Sequence, residues 1–280
     1  MKAKKIKVND IIFSNDEKLV YISGPCIIES EKDYKKTAII LKKTFSKLKT
    51  KFILKASFDK ANRTSHNTFR GIGFEKGIKF LAELKKELKI NLLVDVHENW
   101  QAERIKDIAD IIQIPAFLCR QTDLLYACAD TGKTINVKKG QFLAPWDMIN
   151  VVKKIESRGN KSILLTERGS SFGYGNLVVD MRSIEIMKET GYPVIFDCTH
   201  SIQRPGAIGT ATGGDIQFSL PLAKAATILN IAGIFMETHP NPSKALSDGP
   251  NSMKLTDVSK TVNMLNYIDN TARKVAKFKI

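Results

Sequence analysis

The chain has 280 residues, 44 Lys and Arg against 29 Asp and Glu, a formal charge of +15 and 43% hydrophobic residues, which suits one soluble α/β unit with a large core. No run approaches the ~18–20 apolar residues of a membrane span, the basic start MKAKKIKVND lacks a secretory apolar stretch, and four scattered cysteines make no disulfide framework, so a reducing cytoplasm is expected. The excess charge is lysine spread along helices that also carry Glu, as in Leu81–Lys89, which argues against a nucleic-acid partner and for a field that gathers small anions.

Lys5–Val8 and Ile11–Ser14, joined by Asn9-Asp10, read as a tight hairpin over residues 5–14. From there apolar runs alternate with segments of helical period. Strands are expected at Leu19–Ser23, Phe52–Ser57, Asn91–His97, Asp110–Ala116, Thr134–Gly140, Ser162–Gly169, Pro193–His200 and Gly233–His239. Helices are expected at Asp33–Lys49, Phe74–Leu88, a short stretch from Gln101, Gln121–Thr131, Trp146–Ser157, Val179–Thr190, Leu220–Ala232 and Asp257–Val275. Eight such units, with strands apolar on both faces, predict a (β/α)8 TIM barrel as a single catalytic domain over residues 1–280, the hairpin plugging its floor. A doubly wound sheet would need a glycine-rich fingerprint after the first strand, which GPCIIES does not supply.

In such a barrel the active site lies at the C-terminal ends of the strands, and the unusual residues fall there. The first four strands end in Cys26, in Lys55 and Ser57, in Asp95 and His97, and around Gln113. The last four end in Asn136 and Lys138, Glu167 and Arg168, Asp197 and His200, and Glu237 and His239. Residues two apart point the same way, so Lys55/Ser57, Asp95/His97, Asn136/Lys138 and Glu237/His239 should face the axis as pairs. Burying so many charges is too costly unless they meet one another, a metal or a charged ligand. The polar run Lys55–Thr64, KASFDKANRT, adds Lys60, Asn62, Arg63 and Thr64. Lys55, Lys60, Lys138 and Arg168, with no matching number of nearby acids, suit a ligand carrying phosphate and carboxylate. Cys26, His200, Glu237 and Asp248 offer donors for a divalent transition metal, although Cys26 taken singly reads as a small buried residue. Cys119, Cys128 and Cys198 read as core, His66 as a loop residue, and Trp100 and Trp146 as packing residues at helix starts.

The segments GPCIIES, KASFDKANRTS, DVHE, IIQIPAFLCRQTDLL, NVKKGQFLAPWD, TERGSSFGYGNLVVD, FDCTHS and METHPNPSKALSDGP occur in order over nearly the whole chain. Together they closely resemble the 3-deoxy-D-manno-octulosonate 8-phosphate synthase family. The resemblance implies condensation of phosphoenolpyruvate with D-arabinose 5-phosphate and water, releasing phosphate, on the route to the Kdo sugar of lipopolysaccharide. It also implies a homotetramer and no organic cofactor. By the same resemblance Lys138, Lys60 and His200 are catalytic. Lys55, Lys60, Gln113, Lys138 and Arg168 would hold phosphoenolpyruvate, with Ser57, Pro115 and Ala116 beside them. Asn62, Arg63, Thr64 and Asp95 would bind the sugar phosphate, and Arg120 would reach the sugar's phosphate in a neighbouring subunit's site.

The related synthase that opens the shikimate pathway uses erythrose 4-phosphate and typically reads Lys-Pro-Arg-Thr where this chain has Lys60–Thr64. The added Asn62 favours the longer, hydroxyl-rich acceptor. The family often has serine in place of Thr64, so the hydroxyl is kept. Its metal-dependent members carry cysteine at the position of Cys26 and its metal-independent members asparagine. Cys26 therefore implies a zinc-, iron- or manganese-like ion shared with His200, Glu237 and Asp248. The Gly-Pro that follows Asp248 looks like the metal-independent branch.

Overall fold

Eight short apolar strands lie in parallel and close on themselves. The computed structural model describes residues 3–63, 65–206 and 213–276. Its barrel strands are β1 (Val20–Gly24), β2 (Phe52–Ala56), β3 (Leu92–Asp95), β4 (Ile111–Ile114), β5 (Thr134–Lys138), β6 (Ile163–Glu167), β7 (Val194–Asp197) and β8 (Gly233–His239). Each pairs with the next, and β8 also pairs with β1, which closes the ring. Helices α1 (Glu31–Lys47), α2 (Phe74–Leu88), α3 (Asn99–Ile105), α4 (Thr122–Asp130), α5 (Met148–Ser157), α6 (Arg182–Lys188), α7 (Ser219–Ile228) and α8 (Val258–Val275) follow the strands in turn. This is the predicted (β/α)8 barrel.

Both faces of each strand are buried, which explains the near-continuous apolar runs. The helices bury one stripe each. On α1 that stripe is Tyr34, Ala38, Leu41 and Phe45, and each large side chain fully buried this way contributes about 1.5–3 kcal/mol. The hairpin pairs Ile6–Val8 with Ile11–Phe13 and buries Phe13 completely. Asn9 Nδ2 donates to Asn91 Oδ1 (2.7 Å) and Asp110 Oδ1 (2.9 Å), just ahead of β3 and β4. Asn15 bonds Tyr192 O and Val194 N at the start of β7. All these partners lie at the strands' N-terminal ends, so the hairpin closes the floor and the opposite rim stays open.

Several boundaries differ from expectation for local reasons. Ser30 Oγ accepts from Asp33 N and starts α1 at Glu31, ahead of the expected Asp33. The Gln101 side chain folds back onto Glu98 N, so α3 starts at Asn99. Leu177–Val178 pairs with Ser170–Ser171 as a small hairpin, which delays α6 to Arg182. Asn230 takes a left-handed φ of 53° and ends α7 early, so that Ala232 can join β7 through Val194 O. Trp100 packs on an aromatic ring as expected, whereas Trp146 is mostly exposed. Trp146 is 64% exposed, and Trp100, edge-on to Phe74 at 4.6 Å, is 51% exposed.

Candidate active site

At the open rim the strand ends enclose a cavity of about 310 Å³. Register brings the polar residues to one level. Asp95 lies opposite Gln113, and Gln113 opposite Asn136. Lys55, Lys60, Lys138 and Arg168 line the wall with Asp95, Gln113, His200, Glu237 and Asp248. The loop after β2 adds Asn62 and Arg63, and the turn after β4 adds Pro115 and Ala116. Ser57 stands behind the wall, donating to Asp95 Oδ2 at 3.0 Å. Arg120 is exposed and lies outside its own chain's cavity. Thr64 lies outside the described residues.

Local packing fixes Lys55. Tyr34 Oη donates to its carbonyl at 2.6 Å, and a Cβ on Gly24 would sit 2.2 Å from that same oxygen. Only glycine lets β1 approach β2 so closely. The Lys55 ammonium donates to the Cys26 carbonyl and to Glu237 Oε1 (3.1 Å). Lys60 Nζ stands 4.0 Å from that same carboxylate oxygen. Lys138 pairs with the buried Asp197, and Arg168 donates to Gln203 Oε1. The expectation that these cations lack acids therefore needs correction. Glu237 and Asp197 sit among them, and Asp95 and Asp248 line the same wall, so four carboxylates face the four cations.

Burial pushes the Lys138 pKa below the usual lysine value, against the pull of Asp197 and Glu237. Burial works against the Lys60 charge too, but Cys26, Glu237, Asp95 and Asp248 prevail and hold its pKa well above normal. Burial disfavours the Glu237 carboxylate, yet His200, Lys55, Lys60 and Lys138 hold it well below the ordinary carboxylate range. These are charges held in place on mostly buried side chains, an arrangement that favours an anionic ligand.

A second cluster shares Glu237. Its ligand atoms with those of Cys26 and Asp248 all lie within 4.8 Å of one another. His200 joins them, its Nε2 being 3.5 Å from Glu237 Oε2 and 3.8 Å from Asp248 Oδ2. Asp197 Oδ2 lies 2.7 Å from His200 Nδ1 and holds a proton there, so a metal ion that displaced the Nε2 proton would find that lone pair facing the two carboxylates. Glu237 Oε2 is buried with no hydrogen-bond partner among the described residues. Cys26 donates to Asp248 Oδ2 at 3.1 Å, and burial followed by Asp248 and Glu237 raises its pKa well above an ordinary thiol. Converging lone pairs and an unpartnered carboxylate oxygen fit a divalent cation, which would displace the thiol proton.

Some pairings were not foreseeable from strand alternation. His239 turns to Glu29, 3.5 Å away, and does not line the cavity with Glu237 as expected. His97 does line it, 3.5 Å from Asp95. Arg63 is held by Leu246 O, Phe69 O and Ser247 Oγ, tying the β2 loop to the loop that carries Asp248. Gln141 and Gln203 also line the cavity, and their ordinary sequence surroundings gave no signal. Cys119, Cys128 and Cys198 are fully buried, and His66 is exposed, as expected.

Rim position and lining define the class: a (β/α)8 barrel with a cavity of converging charged side chains at the C-terminal ends of its strands. Comparison with known proteins sharpens this. The sequence profile of the DAHP synthetase I family matches residues 2–273. A 2-dehydro-3-deoxyphosphooctonate aldolase of Fusobacterium nucleatum is 50% identical over 271 residues, covering 97% of this chain and 98% of its own. Proteins of the same description from Geobacter sp. strain M21 (95% of this chain, 97% of theirs) and Rickettsia conorii (96% and 98%) are each 52% identical. The chain belongs to the DAHP synthetase I family, in the group of the 2-dehydro-3-deoxyphosphooctonate aldolases. Among the described residues no helix is long and apolar enough to cross a membrane.

Proposed function

We propose that the chain condenses phosphoenolpyruvate with D-arabinose 5-phosphate and water, giving 3-deoxy-D-manno-octulosonate 8-phosphate and phosphate. The observation that carries this is the cationic wall of Lys55, Lys60, Lys138 and Arg168 beside Asp95 and Gln113, in a chain about half identical to 2-dehydro-3-deoxyphosphooctonate aldolases. The cations clamp the carboxylate and phosphate of phosphoenolpyruvate. Asn62, Arg63, Thr64 and Asp95 hold the sugar phosphate, and the Asn62 amide selects its extra hydroxyl. Carbon three of phosphoenolpyruvate attacks the sugar aldehyde, water adds at carbon two, and the hemiketal phosphate collapses by C–O cleavage. Lys60, Lys138 and Arg168 stabilise charge developing at the enol end. Lys138, its pKa lowered by burial, is suited to proton transfer.

Cys26, His200, Glu237 and Asp248 would hold a divalent transition metal, which supplies Lewis acidity or an activated water. Arg120, exposed at the end of the turn after β4, is assigned to the sugar phosphate of a neighbouring subunit in a homotetramer. A cytoplasmic location suits four free thiols.

The test is phosphate release from phosphoenolpyruvate with arabinose 5-phosphate or erythrose 4-phosphate, with and without chelator. Rapid release with the five-carbon sugar that chelation abolishes is expected. A strong preference for erythrose 4-phosphate overturns the substrate assignment, and chelator-resistant release overturns the metal.

A further inference from the structure

One buried cation takes no part in the cavity. Lys139 follows Lys138 on the chain, and strand alternation turns it away from the axis. None of its surface is exposed. Its ammonium meets Gly140 O and Leu143 O at 3.3 Å, Gly169 O at 3.4 Å, Ser170 Oγ at 3.0 Å and Glu167 Oε1 at 3.5 Å. Glu167, 1% exposed, uses the same oxygen to accept from Arg168 N (2.9 Å) and Gly169 N (2.6 Å), and its other oxygen accepts from Ser183 Oγ at 2.6 Å. Ser171 N donates to Gln141 O at 2.9 Å alongside. The loop after β5 and the loop after β6 are thereby knotted together directly behind Lys138 and Arg168.

An ion pair this deep is a poor device for stability, because a well-packed apolar pair would serve as well. An apolar pair could not gather oxygens from two loops at one point. Nor could it hold the Arg168 and Gly169 amides where the chain turns through φ +88° at Gly169. We propose that the Lys139–Glu167 pair is a positioning device for the anion-binding end of the cavity, fixing the reach of Lys138 and Arg168 toward the ligand. The inference rests on the reading that those two side chains hold phosphoenolpyruvate. It assigns Lys139 no contact with substrate. Its effect passes through the backbone of the two loops.

The experiment compares wild-type enzyme with Lys139→Met, Glu167→Gln and Ser170→Ala. In Lys139→Met the KM for phosphoenolpyruvate and the calorimetric Kd for inorganic phosphate should both rise about 10- to 100-fold, with the KM for arabinose 5-phosphate nearly unchanged. Glu167→Gln keeps an oxygen for the two backbone amides, so its shifts should be smaller. A merely structural pair would lower the melting temperature without separating the two substrates. A folded Lys139→Met enzyme with wild-type constants, or with both KM values raised equally, overturns the proposal. Should Lys139→Met fail to fold, Ser170→Ala removes one acceptor and is judged on the same two constants. A smaller rise in both supports the pair's role, and no change overturns it. Wild-type protein that releases no phosphate from phosphoenolpyruvate would refute the activity instead, while phosphate binding by the variants would still test the pair.

Discussion

Replacing Asp197 by asparagine changes one atom and removes one charge, and the structure says what should follow. Asp197 is fully buried. Its Oδ1 accepts from Thr199 N (3.1 Å), Thr199 Oγ1 (3.0 Å) and His200 N (2.9 Å), and an amide oxygen can keep all three. Its Oδ2 faces the Lys138 ammonium and His200 Nδ1, and there the amide presents a donor instead. Lys138 loses its buried counter-charge, a change that costs about 3–5 kcal/mol when one partner of such a pair is removed. Release of the Lys138 proton moderates the loss. His200 must now accept at Nδ1, which fixes a proton at Nε2 and withholds the lone pair that a metal ion would find facing Glu237 and Asp248. Loss of such a supporting bond behind a metal ligand typically weakens metal affinity about 10- to 100-fold. Urea denaturation measures the first effect, and titration of the metal-stripped protein with zinc measures the second. A variant with wild-type urea midpoint and wild-type zinc affinity would refute the reasoning.

Three further outcomes are expected. Cys26→Ala should cut divalent-metal affinity by at least the factor of about 10–100 typical of a mere supporting residue, and with it most activity; full activity after chelation in that variant would sink the assignment. Gly24→Ala puts a methyl 2.2 Å from Lys55 O, so β1 and β2 must part at a cost of about 1–3 kcal/mol, read by urea denaturation; an unchanged midpoint contradicts the close approach. Burial holds the His97 pKa below 6.5, with Asp95 pulling upward, so the unfolded chain takes this proton first on acidification. Its contribution to stability is full above the unfolded value near 6.5 and is lost as pH falls through the lower folded value. His97→Asn should flatten that part of the curve of urea midpoint against pH, and an unaltered slope would count against it.

The barrel was legible because each strand is apolar on both faces and each helix carries a one-sided stripe, and both patterns are local. Site residues at strand ends were legible for the same reason, since Lys55, Asp95, Gln113, Lys138 and Glu237 each interrupt an apolar run. What alternation could not convey is which charge meets which. Lys138 and Asp197 are 59 residues apart, and Lys55 and Glu237 are 182 apart, so their pairing depends on ring closure and register. The rule also fails just past the rim, where the backbone leaves the pleat. His239 swings to Glu29, while His200 reaches the cluster from a short 3-10 turn, His200–Ile202, instead of from the strand predicted to include it. Lys139 was invisible as a distinct residue because a lysine beside a functional lysine looks like more of the same.

Glu237 gives one oxygen to Lys55 and Lys60 and turns the other toward His200, and its carboxylate also lies close to Asp248 and Cys26. A single carboxylate would therefore belong to both of the proposed sites, and their two binding equilibria would be thermodynamically linked. An anion that draws the ammonium groups toward itself leaves more negative charge on Glu237 for a cation, and a cation that takes up that charge leaves the lysines freer for the anion. By reciprocity, whatever factor the first ligand confers on the second, the second must return to the first.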